Sequence, residues 1–237
     1  MRNVPQVWIA HGFIVVSLIG VADARPPAGD TLAVAREKMC VTEGAIDQSA
    51  RGRLTVDSPK MRAYVNAGPS QEVESRFRYL GPTAEASRLG SGESRRQFGL
   101  KLRAQDPCNL VYVMWRIDPE SKLVVSVKRN PTAHTSAECG NRGYQNIKPR
   151  GSLEVPRLRP GDAHSLRAEM KGEELRVVVD NSVVWEGSVG PQALGLTGPV
   201  GVRSDNVRLE FDLTTAETSD RHHDHPPDCK SGPGASD

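Results

Sequence analysis

The stretch Leu166-Arg167-Ala168-Glu169-Met170-Lys171-Gly172-Glu173-Glu174-Leu175-Arg176-Val177-Val178-Val179-Asp180-Asn181-Ser182-Val183-Val184-Trp185 decides how this chain folds. Leu166, Ala168 and Met170 alternate with Arg167, Glu169 and Lys171. After Gly172, Leu175, Val177 and Val179 alternate with Arg176 and Asp180, with Val178 breaking the polar face. A period of two is what a half-buried antiparallel strand requires, because successive side chains point to opposite faces of the sheet. Asp180-Asn181-Ser182 is a tight turn into a third strand. Past a Gly-rich loop, Val207, Leu209, Phe211 and Leu213 alternate with Arg208, Glu210 and Asp212 in a closing strand. The pattern specifies an all-β sandwich and no particular reaction.

The central block carries the same signature. Phe98, Leu100 and Leu102 face one way, and Gln97, Lys101 and Arg103 the other, before Gln105-Asp106-Pro107 ends the strand. From Asn109 to Ile117 both faces are largely apolar, which places that strand in the middle of a sheet. Asp118 to Ser121 turns into a strand from Lys122 to Lys128. The segment from Asn130 to Pro149 has no period and reads as a long loop, a common place for function on a rigid scaffold. Signals are weaker upstream. Ala63 to Val65 and Arg76 to Leu80 read as strands, and Leu32 to Met39 reads either as a short helix or as the first strand.

The N-terminus has the layout of a secretory signal: Arg2, an apolar run from Phe13 to Val21, and the small-x-small site Ala22-Asp23-Ala24. The run falls short of the ~20 residues needed to span a bilayer. The expected organisation is a signal peptide over 1–24, a lead-in over 25–38, the sandwich over 39–213 and a disordered polar tail over 214–237. The mature protein is then secreted or periplasmic, with no membrane span. In such a compartment four cysteines imply two disulfides. Cys108 opens one strand and Cys139 lies in the loop after the next, so these two are paired, which requires Cα atoms ~5–6 Å apart. Cys40 and Cys229 then tie the ends together. With 31 basic and 29 acidic residues the formal charge is +2, which argues against a nucleic-acid partner.

From Arg95 onward the order of elements resembles the concanavalin A-like lectin/glucanase superfamily, in particular laminin-G-like jelly rolls and 3-keto-disaccharide hydrolase domains. The residues that carry the likeness are Gly161-Asp162-Ala163-His164-Ser165-Leu166, with Ala163 where tryptophan is usual, the hairpin from Leu175 to Glu186, and Gly198-Pro199-Val200-Gly201-Val202-Arg203-Ser204-Asp205, read as the turn before the closing strand. The resemblance implies a jelly-roll β-sandwich whose concave face receives a ligand, a glycan or acidic polysaccharide. The superfamily's Glu-x-Asp-x-x-Glu strand does not occur here. No catalytic carboxyl pair, such as retaining glycoside hydrolysis needs, is identifiable. The reading is therefore an exported, non-catalytic carbohydrate-binding or adhesion module of the laminin-G-like type. A glycan-processing hydrolase of the keto-disaccharide kind is the alternative.

The ligand-binding candidates are Lys101, Arg103, Tyr112, Arg116 and Lys128 on one sheet face, with Tyr144 from the adjoining loop. Arginine offers a planar fork for carboxylate or sulfate, and tyrosine a flat surface for a sugar ring. The competing reading is solvated cations on an ordinary sheet. His134, Glu138, Asn141 and Arg142 make the loop a possible rim. Calcium at Asp180-Asn181 or Asp205-Asn206 competes with a plain turn role for both pairs, and the turn role is preferred. The tail from His222 to Cys229 holds metal-ligand residue types without a scaffold.

Overall fold

The structure, a computed structural model, describes Met1 and residues 31–216. The expected signal peptide beyond Met1, the His-rich tail and Cys229 lie outside the described residues. Sixteen strands follow one another: β1 (Thr31–Ala33), β2 (Met39–Glu43), β3 (Asp47–Gln48), β4 (Leu54–Val56), β5 (Lys60–Val65), β6 (Glu72–Pro82), β7 (Arg96–Asp106), β8 (Asn109–Asp118), β9 (Lys122–Lys128), β10 (Tyr144–Asn146), β11 (Gly151–Ser152), β12 (Ala163–Lys171), β13 (Glu174–Val179), β14 (Ser182–Ser188), β15 (Gly201–Asp205) and β16 (Val207–Ala216). One short helix, α1 (Ser136–Cys139), lies between β9 and β10.

The strands form two antiparallel sheets. A nine-stranded sheet runs β11-β14-β13-β12-β6-β16-β4-β3, with β1 against the end of β16, and a seven-stranded sheet runs β10-β9-β8-β7-β15-β5-β2. The decisive stretch supplies the β12–β13–β14 meander. Asp180 and Asn181 sit at φ 48° and 69°, the pair of left-handed conformations that the tight β13–β14 hairpin turn needs. The core lies between the sheets. Phe77 and Phe211 from one sheet meet Phe98 and Trp115 from the other, with ring centroids 5.1–5.8 Å apart. Burying each such ring contributes on the order of 2–3 kcal/mol, and the tilted and edge-on geometry adds to it.

Several expectations are corrected. The stretch Leu32 to Met39 is neither one helix nor one strand: β1 ends at Ala33, a 3₁₀ turn covers Arg36–Lys38, and β2 starts at Met39. The presumed turn before the closing strand contains β15, a strand of the seven-stranded sheet. The closing strand β16 continues to Ala216, past the point where the tail was expected to begin.

Candidate functional site

Along β7, Phe98, Leu100 and Leu102 point into the core and are fully buried, so Gln97, Gly99 and Lys101 occupy the outer face of the seven-stranded sheet. Strand register then assembles that face. Lys101 stands opposite Tyr112 on β8, and Tyr112 opposite Ser126 on β9. Lys128 stands opposite Leu110 on β8 and Tyr144 on β10. On the other side, Gly201 of β15 stands opposite Lys101, and Arg203 lies between Gly99 of β7 and Arg62 of β5.

Four of the six candidates from the sequence therefore come together: Lys101, Tyr112, Lys128 and Tyr144. The Tyr112 and Tyr144 rings stack with centroids 5.9 Å apart. Lys128 Nζ lies 5.0 Å from the Tyr144 centroid, and the Arg203 guanidinium 5.1 Å from that of Tyr112. Both are cation–π distances. Arg203 also donates to the Tyr144 hydroxyl at 3.2 Å. Tyr144 is the exposed member at 37 %, whereas Lys101, Tyr112 and Lys128 are buried. Burial, reinforced by Tyr144, pushes the Tyr112 phenol well above its ordinary pKa, so it stays protonated.

Arg103 does not join them. At φ 48° it sits in the irregular end of the β7–β8 pairing, where the register shifts between Leu102 and Asp106. Such a bulge breaks the in–out alternation. Its guanidinium donates to the carbonyls of Ala193 (2.7 Å) and Gly172 (2.8 Å) and so fastens one sheet to the other. Arg116 shares the face two pairs along β8, opposite Gln97 and Lys122, away from the tyrosines. Its Nε is buried without a hydrogen bond.

The sequence reading did not assign Arg62, Arg203 or Gln97 to the site, and it took Asp205 for a turn residue or a calcium ligand. Asp205 is fully buried and accepts from Arg62 (2.6 Å), Gln97 (2.6 Å) and Arg203 (2.9 Å). The neighbouring Asn206 accepts from Ser87 N (2.7 Å) and donates to the carbonyls of Ser87 and Arg95 (2.9 Å each), which anchors the connection from β6 to β7. Both residues of that suggested calcium pair are thus engaged with protein partners. Asp180 holds His164 Nδ1 (2.5 Å) and Ser165 N (2.8 Å). Gly99 and Gly201 keep the floor thin: a Cβ at either would collide with the backbone of the neighbouring strand.

Lys101 has no hydrogen bond or ion pair among the described residues. Burial, with Arg62 and Arg203 adding repulsion, lowers its pKa to about 7. The unfolded chain keeps that proton up to about pH 10.4. Between the two values the unfolded state binds more protons, so this group makes stability rise with pH from about 7 upward. A Lys101→Met variant is accordingly expected to melt several degrees higher than the parent at pH 6, with the gap narrowing toward pH 10. Thermal melts of both proteins across that range are the check, and a gap independent of pH would rule out a strained ammonium.

The expected rim loop is pinned as foreseen. Cys108 and Cys139 form a disulfide with Cα atoms 5.8 Å apart. Most other loop side chains serve the loop itself. Thr135 and Glu138 form a capping box on α1, His134 pairs with Asp106 at 2.9 Å, and Arg142 donates to the Glu138 carbonyl. Asn141 packs beside Gly90, so the loop meets the β6–β7 connection. The nine-stranded sheet has an open cleft of about 640 Å³ on Glu72, Glu74, Arg76, Arg167 and His164. Its charges are paired off, Arg76 with Glu74 (2.8 Å) and Arg167 with Glu72 (3.5 Å). No helix among the described residues is long and apolar enough to cross a membrane.

No protein-family model and no curated protein matches the chain. Among solved structures, the carbohydrate-binding module CBM66 from Bacillus subtilis aligns with TM-score 0.51 at 13 % identity, covering 73 % of this chain and 91 % of that one. The Emp46p carbohydrate recognition domain aligns at 0.48 and 14 % identity over 76 % and 88 %. A putative glycosyl hydrolase from Parabacteroides distasonis aligns at 0.47 and 9 % over 78 % and 90 %. At such identities the likeness to the module concerns the fold alone. With its two packed antiparallel sheets, the chain has the concanavalin A-like jelly-roll fold.

Proposed function

We propose that this protein is an exported, non-catalytic carbohydrate-binding module, of the laminin-G-like type that its sequence resembles, and that it takes a saccharide on the outer face of the seven-stranded sheet. The observation that carries this reading is the Tyr112–Tyr144 stack with a cation against each ring, raised beside a loop held by the Cys108–Cys139 disulfide. A sugar ring presents C–H groups to an aromatic surface and hydroxyls to flanking donors, and Tyr144 with Arg203 offers both. The carbohydrate-binding module with the same fold makes this ligand class a natural first test. A hydrolase reading would need two unengaged carboxyl groups facing each other across an open site, whereas Asp205 is buried in ion pairs and Glu43, on the rim, lies 3.8 Å from Arg62.

The test is a glycan array followed by calorimetric titration of the best ligand. Tyr144→Ala removes a half-exposed ring from an edge strand, so the fold survives. Its affinity is expected to fall at least tenfold, which is about 1.4 kcal/mol. An array without ligands, or turnover of a saccharide by the purified protein, would overturn the proposal.

A further inference from the structure

Three cations converge on the middle of this face with one carboxylate between them. Arg62 and Arg203 stand directly opposite each other on β5 and β15, and Lys101 lies one strand over, opposite Gly201. Asp205 takes one nitrogen from each guanidinium, at 2.6 and 2.9 Å. Arg62 is further held by the carbonyls of Met61 (2.9 Å) and Ser204 (2.8 Å), and Glu43 lies 3.8 Å away on the rim. Arg203 Nη1 reaches Tyr144, while its Nη2 has no hydrogen bond among the described residues. Lys101 is 6 % exposed and no acceptor among the described residues meets its amine. A buried ammonium without an acceptor is costly to keep, and apolar residues of similar length would fill the space. An arrangement of this kind is suited to an anion that arrives from outside.

We propose that Lys101, Arg203 and Arg62 form an oxyanion subsite that receives a sulfate or carboxylate group of an acidic saccharide. Lys101 and the free Arg203 nitrogen contact the anion, and Arg62 supplies charge from behind Asp205. The inference rests on the glycan-binding reading above and names its ligand class. The bound anion replaces the missing acceptor and restores the ammonium. Lys101 is largely neutral above pH 7 in the free protein, so binding there takes up a proton and affinity falls as pH rises. The other charged or titratable groups facing Lys101 are Arg62, Tyr64, Arg203, Lys128, Glu43, Asp205, Tyr112 and Tyr144.

The experiment titrates the full chain and its Lys101→Met variant with matched sulfated, uronate and neutral oligosaccharides, and with inorganic sulfate, at pH 6 and 8.5. The acidic compounds are expected to bind at least tenfold more tightly than the neutral one at pH 6. That preference should shrink at pH 8.5 and be lost in Lys101→Met, whose fold is checked by circular dichroism. The sulfate and uronate arms identify which oxyanion is preferred. Equal affinity for acidic and neutral compounds, or a preference that survives Lys101→Met, would overturn the subsite and leave the glycan reading standing. If no saccharide binds, the glycan reading falls and inorganic sulfate decides alone. A rise in the Lys101 pKa on adding sulfate, read by NMR of labelled lysine, sustains the subsite, and no change rejects it.

Discussion

Asp205→Ala is expected to destabilise the protein by about 3–5 kcal/mol, the range for removing one partner of a buried ion pair. Its carboxylate is fully buried and holds together β5, β7 and β15 through Arg62, Gln97 and Arg203. Without it two guanidiniums, whose side chains are 15 % and 12 % exposed, face each other and Lys101 with only the half-exposed Glu43, 3.8 Å from Arg62, as counter-charge. Burial alone would push the Asp205 carboxyl upward, but Arg62, Arg203 and the Gln97 hydrogen bond outweigh it and hold the pKa below the usual range. Its contribution is therefore complete above the unfolded value of about 3.9 and is lost as pH falls through the lower folded one. Urea denaturation of parent and variant at pH 7 measures the difference, which should close in strong acid. A loss under about 1 kcal/mol, the size of an exposed ion pair, would mean that water already serves these guanidiniums.

Replacing Cys108 and Cys139 together by serine is expected to cost about 3–4 kcal/mol, from loop-closure entropy for a bridge between positions 31 apart. The bridge closes the β8–β9 hairpin and the loop back onto the start of β8. There Lys128 Nζ donates to the carbonyls of Pro107 (3.1 Å) and Gly140 (2.8 Å). Opening it frees α1 and the approach to β10, so Tyr144 should lose its fixed place on Tyr112 as well. Chemical denaturation of the double variant gives the first effect. Faster hydrogen exchange over residues 129–146 gives the second. A variant as stable as the parent would show that the unfolded chain is compact without the bridge.

The parts of the site legible in the sequence are those that neighbouring strands deliver. β7, β8 and β9 follow one another through short turns, so alternation alone puts Lys101, Tyr112, Ser126 and Lys128 on one face. Arg103 was misplaced because a bulge in β7 ends the alternation one residue before it. A slip of one residue exchanges the two faces of a strand. Arg62 and Arg203 were out of reach for another reason. They meet through the β5–β15 pairing of distant segments, and β15 has the glycines and proline of a turn in front of it. The period of two in Val202 and Ser204, both buried, is too short to overrule that punctuation. No local signal reports that Asp205 and Gln97 are partners, since only the register across β7 and β15 brings them together.

The position of β16 also sets a timetable. It is the last described strand, yet it lies inside the nine-stranded sheet, and it pairs along its length with β6, between 125 (Val207 with Pro82) and 142 (Thr215 with Val73) residues earlier. While the chain is being made at about 5–20 residues per second, β6 must wait on the order of ten seconds for its neighbour. Throughout that interval the edge of β6 and the rings of Phe77 and Phe98 have no Phe211 to close over them. Until β16 is made, that open edge is a template on which a strand of another chain could pair.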